Sequence, residues 1–299
     1  MSVDIVIKQK GFFKKKLSLK DILMNHFAYG CYDDNYILKP NECDENEVIL
    51  YNPNHIARGI SVVWNEAETN QIGLHMLLPT TCEEIDDFYM LIEHLCRLWK
   101  TDSFEQDGEI HSIKEIENIK SGLKDFNYDT MKSFLTEHEN GNFFCAMWPY
   151  YFNSKDVMNW LDDHELSHFS KDIHNNQVID LYYCAPRYYR MKDEQILGVY
   201  TITATVDTVF PTEPLTPFSC VNFQTGESIT ANQNIVAFYS LEKEEILGDV
   251  PFDDFMSEIS KKELHEFDAL HFYFDGLSEE EIESLNQKFP SRIDRKSVV

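Results

Sequence analysis

Thr81-Cys82-Glu83-Glu84-Ile85-Asp86-Asp87-Phe88-Tyr89-Met90-Leu91-Ile92-Glu93-His94-Leu95-Cys96-Arg97-Leu98-Trp99 is the stretch on which the reading of the fold turns. Ile85, Phe88, Ile92, Leu95 and Trp99 recur at intervals of three and four residues, the period of an α-helix with one apolar face. Thr81 followed by Glu84 has the form of a capping box, so the sequence predicts a helix over about 82–100. A stripe this apolar needs a sheet to cover it. Short apolar runs upstream supply one, at 3–8, 47–51, 58–64 and 71–78, with turn residues such as Asn52-Pro53-Asn54 between them.

The mixed pattern continues in both directions. Ser18 predicts the cap of a short helix to about Phe27, and the six lysines from Lys8 to Lys20 read as a solvated face. Downstream, apolar spacing predicts helices at 113–125 and 129–138. Asn140-Gly141-Asn142 breaks the pattern and marks a division into an N-terminal lobe, 1–140, and a C-terminal lobe, 141–299, unless the chain is one continuous domain. The run 143–148 reads as a buried strand ended by Pro149, and Ser154 as the cap of a helix over 155–170. Strands are expected at 177–184, 196–210, 234–240 and 268–274, and helices at 252–260 and 278–289, the last opened by a Ser278/Glu281 capping box. An offset of 70 aligns Pro79, Asp86, Leu91 and His94 with Pro149, Asp156, Leu161 and His164, which suggests two similar lobes. The expected class is α+β, with mixed or antiparallel sheets packed by amphipathic helices.

Composition narrows the function. Apolar residues make up 43% and aromatics 13%, enough for a full core. With 26 Lys+Arg against 52 Asp+Glu the chain carries −26, a field that repels phosphate backbones and favours a basic protein as partner; no nucleic acid is expected. The seven cysteines are odd in number, scattered and without a C-x-x-C pair, which argues for reduced thiols and a cytoplasmic location. No apolar run has the length of a membrane span, so no membrane association is expected. Phosphate-cradling patterns such as G-x-G-x-x-G and G-x-x-x-x-G-K-[ST] are missing, and so is G-x-S-x-G; no cofactor is expected.

One motif carries chemistry. His164-Glu165-Leu166-Ser167-His168 has the form H-E-x-x-H. On a helix, both imidazoles would reach one zinc ion while Glu165 polarised its water, and His174 stands at the spacing of a third ligand. To that extent the segment resembles the zincin metallopeptidases, although Lys171 replaces the glycine that turns the chain toward a third histidine. Against this stands a half-buried helical stripe of Val157, Leu161, His164 and His168, in which the histidines only pack and hydrogen-bond.

Ser2-Val3-Asp4-Ile5-Val6-Ile7-Lys8, Leu17-Ser18-Leu19-Lys20-Asp21-Ile22-Leu23, Ala57-Arg58-Gly59-Ile60 and Leu78-Pro79-Thr80-Thr81 together resemble a family from Gram-positive bacteria, domain of unknown function 4299. The resemblance implies kinship over nearly the whole chain and no particular reaction. The leading expectation is therefore a non-enzymatic cytoplasmic protein that binds another protein, immunity-like toward a basic partner. The alternative is a zinc-dependent hydrolase or peptidase with His164, His168 and His174 as ligands and Glu165 as catalytic base.

Overall fold

The computed structural model describes residues 1–10, 14–44, 47–65 and 68–290. Lys14, Lys15 and Lys16 of the lysine-rich segment are exposed, whereas Gly11-Phe12-Phe13 lies outside the described residues. The chain forms two compact units, Met1–Ile179 and the part from Asp180 onward. The position 140/141 falls inside the first unit, where Asn140 begins a strand.

The first unit is built on an eight-stranded antiparallel sheet. Its spatial order is Leu38–Pro40, Ala28–Tyr32, Glu47–Tyr51, Ile60–Asn65, Glu68–Leu77, Ser2–Lys8, Ser103–Gln106 and Glu109–Ser112. Ser2–Lys8 pairs in register from Ser2↔Leu77 to Lys8↔Gln71, and its alternation sends Val3, Ile5 and Ile7 into the core. Three helices contribute to the core on this sheet: α1 (Leu19–Leu23), α2 (Cys82–Leu98) and α3 (Ile116–Glu137). Helix α2 lays Ile85, Phe88, Leu91, Ile92 and Leu95, each 0% exposed, against Ile5, Val62, Leu74 and Met76 of the sheet. The stripe read from the sequence is the core of the unit.

A second core in the same unit gathers Met131 and Leu135 of α3, Phe143 and Phe152 of the hairpin Asn140–Phe144/Pro149–Asn153, Trp160, and Phe169 and Ile173 of α4 (Ser167–Gln177). Here the structure departs from several expectations. Helices 113–125 and 129–138 are one helix, because Phe126-Asn127-Tyr128 continues the turn and Asn127 is used as a buried anchor. Pro149 opens the second strand of a hairpin and does not end one strand, since an edge strand tolerates its missing N–H. The helix expected over 155–170 is absent: Met158–Leu161 is a 3₁₀ turn, Leu166 adopts a left-handed conformation (φ 55°), and α4 starts only at Ser167. The alignment at an offset of 70 therefore sets a continuous helix against a broken turn, and the two segments are not a structural repeat.

The second unit holds two four-stranded sheets. One runs Arg187–Arg190, Ile196–Thr203, Gln233–Ser240, Glu245–Pro251; the other Tyr182–Tyr183, Thr208–Pro211, His271–Phe274, His265–Glu266. Parallel pairs (Ile196–Thr203 with Gln233–Ser240, Tyr182–Tyr183 with Thr208–Pro211) make these sheets mixed. Helices α5 (Phe252–Ile259) and α6 (Glu279–Lys288) close a core of Tyr200, Phe210, Phe238, Phe255 and Phe274. The long strand expected over 196–210 is two strands in different sheets, parted where Thr205 takes φ 63°. The α+β class holds. No helix among the described residues is long and apolar enough to cross a membrane, and all seven cysteines are free.

Phe88 and Leu95 have no exposed surface, so truncating either to alanine removes packed apolar volume. We expect each substitution to cost about 2–5 kcal/mol in urea unfolding; a loss below about 0.5 kcal/mol at both would be the behaviour of surface positions.

Candidate functional site

The H-E-x-x-H residues do not assemble. His164 and Glu165 lie in the turn before α4 and are exposed, while His168 is the second residue of the helix and is also exposed. The left-handed Leu166 between them breaks the helical spacing that would align the two imidazoles. The His164 ring stacks on Tyr128 at 4.5 Å, with Asp125 3.8 Å from its Nδ1. Glu165 lies 4.0 Å from Lys124. His174 faces elsewhere: its Nδ1 accepts the backbone N–H of Ile56 at 3.0 Å. Among the described residues no group of three or more His, Cys, Asp or Glu is placed to hold a metal ion.

The residues that the fold does bring together converge on the loop 52–59. Its far end is held by Glu84, which is 4% exposed at the start of α2. Thr81 caps the helix as expected, its hydroxyl accepting the Glu84 N–H at 3.1 Å. The Glu84 carboxylate does not complete the box. It accepts the N–H groups of Gly59 (2.6 Å) and Arg58 (3.3 Å) and the hydroxyl of Thr80. Gly59 has φ +87°, and a Cβ there would stand 2.8 Å from Ile49, so only glycine presents that N–H. The Arg58 guanidinium, also buried, donates to the carbonyls of Phe144 (3.2 Å) and Pro79 (3.0 Å) and lies over the Phe143 ring. Asn127 of α3 exchanges two 2.8 Å bonds with the Thr80 backbone. Burial pushes the Glu84 carboxyl above its ordinary range, and burial likewise lowers Arg58.

At the near end of the loop stands the most chemically loaded cluster of this unit. Asp87, one helical turn after Glu84, accepts on both oxygens: Oδ1 is 2.8 Å from His26 Nε2 and Oδ2 2.8 Å from His55 Nε2. The Asn52 amide nitrogen stands 2.8 Å from His26 Nε2, 2.9 Å from His55 Nε2 and 3.0 Å from Asp87 Oδ2. Its orientation is set by its own Oδ1, which accepts the Asn54 N–H at 3.0 Å. The imidazoles are 34% and 31% exposed at the side chain and Asp87 10%, so a buried carboxylate carries two half-open rings. These five contacts cannot all be hydrogen bonds at once, because the amide has two hydrogens and each Nε2 holds at most one. The protons must be shared among alternative arrangements. Where Nε2–H donates to Asp87, the Nδ1 lone pair is left as the basic atom of that ring, the logic of a carboxylate-oriented base.

A comparable set in the second unit is closed. Asp268 accepts from His271 Nδ1 at 2.9 Å, and Tyr183 lies 3.0 Å from His271 Nε2, all of it buried. It ties a turn to a strand.

The family model for the domain of unknown function DUF4299 matches residues 2–285. The chain belongs to this family. No curated protein and no solved structure matches it. The stretch Asn52–Gly59, which hydrogen-bonds to Glu84 and Asp87 of α2, contains the Ala57-Arg58-Gly59 that carried the sequence resemblance. In this DUF4299 chain the cluster residues His26, Asn52, His55 and Asp87 were not visible as a group. One signal did exist: Glu84 and Asp87 sit on an otherwise apolar helix face, and a carboxylate there must find hydrogen donors.

Exposed Glu165 and His168 predict that Glu165→Gln and His168→Ala change stability by no more than about 0.5 kcal/mol. His174→Ala, which strands the buried Ile56 N–H, should cost about 1–3 kcal/mol. Urea denaturation of the three variants checks the ranking, and equal effects at all three would contradict it.

Glu84 yields a pH signature. Its folded-state value lies above the unfolded one of 4.5, so the folded protein binds this proton more tightly than the unfolded chain. Its contribution is unfavourable at high pH and is relieved as pH falls through the raised value toward 4.5. We expect the stability difference between wild type and Glu84→Gln to shift in favour of wild type as the pH is lowered over that window. A difference independent of pH would show that Glu84 titrates normally.

Proposed function

We propose that this DUF4299 chain is a cytoplasmic binding protein that acts without catalysis, by associating with a basic protein. The observation that carries the reading is where the charge sits. Only Glu84, Asp87, Asp249 and Asp268 are buried carboxylates among the described residues, so nearly all of the −26 faces solvent. A surface of that sign steers a cationic partner into encounter and rejects acidic ones. Neutralisation of a basic toxin is one form such a role takes.

Such an association weakens as salt screens it, because the Debye length falls from about 10 Å at 0.1 M toward about 3 Å at 1 M. Proteins captured by the tagged chain at low ionic strength should be rich in Lys and Arg and should elute as salt is raised. Capture of acidic proteins, or retention unchanged near 1 M salt, would remove charge as the basis of binding.

A further inference from the structure

The hairpin joining Gln233–Ser240 to Glu245–Pro251 ends in Leu241-Glu242-Lys243-Glu244-Glu245, all exposed. Tyr239 is opposite Ile246 across the two strands, on the face away from the buried Phe238. Leu241 opens the turn that follows, next to the last strand pair Ser240↔Glu245. Leu241 is 66% and Ile246 54% exposed and Tyr239 is half-buried beside Ile246, so the hairpin end carries uncovered apolar surface, here called the ridge.

The opposite side of the tip is pinned. Buried Ser240 hydrogen-bonds to Glu279 at the start of α6, and its hydroxyl accepts the Lys243 N–H at 3.1 Å. Lys243 in turn bridges to Glu279 at 2.6 Å. That contact occupies the one cation of the tip. Glu242, Glu244 and Glu245 are left as a negative rim beside Leu241 and Ile246. An apolar centre with a charged rim, held rigid from behind, is the anatomy of a protein-docking surface, and the sign of the rim selects the occupant.

We propose that the Tyr239–Leu241–Ile246 ridge docks a partner segment in which an apolar side chain is flanked by Lys or Arg. This rests on the reading of the chain as a binder of basic protein and names the surface that does it. The ridge buries the apolar residue, and the glutamates take the flanking cations.

Two synthetic probes separate the contributions: oligolysine, and a peptide with the same number of lysines and leucines set between them. The leucine-containing peptide should bind the wild-type chain about tenfold more tightly or better, the gain expected from burying one large apolar side chain. Leu241→Ser/Ile246→Ser should abolish that advantage and leave oligolysine binding unchanged. Phe223→Ser, at another exposed apolar position, should leave both unchanged. If the double variant keeps the leucine advantage, or if Phe223→Ser loses it equally, the ridge is not the docking surface while the electrostatic reading stands. If neither peptide binds wild type at low salt, the electrostatic reading fails and the ridge fails with it.

Discussion

A carboxylate buried at the start of α2 constrains much of the first unit. Glu84 cannot be withdrawn from water without hydrogen donors, and the donors it finds are the backbone of Arg58 and Gly59 and the hydroxyl of Thr80. That requirement fixes the loop before the strand Ile60–Asn65 against the helix. It also brings in Arg58, whose guanidinium reaches the carbonyls of Phe144 and Pro79. A single buried side chain thus ties the central sheet, α2 and the Asn140–Phe144 hairpin. Replacing it by an apolar residue would leave several polar groups without partners at once.

The loop 52–59 is where these constraints meet. Asn52 and His55 are held at Asp87, Ile56 at His174, Ala57 through its carbonyl to the Ala146 N–H at 2.9 Å, and Arg58 and Gly59 at Glu84. Loops usually carry the least-ordered backbone of a domain. This one is fastened nearly residue by residue, and it sets its own imidazole, His55, across the Asp87 carboxylate from His26. The tight anchoring gives His26 and His55 a defined geometry, while their partial exposure leaves them in reach of solvent.

The second unit shows a different division of labour. Its core is aromatic, with Tyr200, Phe210, Phe238, Phe255 and Phe274 packed together, and its polar cluster is sealed. Apart from buried Asp249 and Asp268, its described carboxylates lie at the surface. There a few cations are consumed locally, as Lys243 is by Glu279 and Lys262 by Glu281, so that the surplus carboxylates set the sign of the field.

Elements with a strong local signal were legible in the sequence by itself: the α2 stripe, the alternating Val3-Ile5-Ile7 strand, the Ser278/Glu281 box and the α+β class. Their periodicity and caps are properties of neighbouring residues, and packing only had to accept them. The tertiary structure decided what depended on distant partners. Glu84 had the position of a capping-box residue but was recruited by Gly59, since a buried carboxylate takes the donors the fold offers. The H-E-x-x-H pattern promised a helix, yet Leu166 turned left-handed as its side chain was drawn into the core with Trp160 and Phe169, and the two histidines were left in solvent. His26, Asn52, His55 and Asp87 come from three separate segments and share no spacing that a linear reading registers. Residues related only through space acquire their chemistry when burial removes water as the alternative partner.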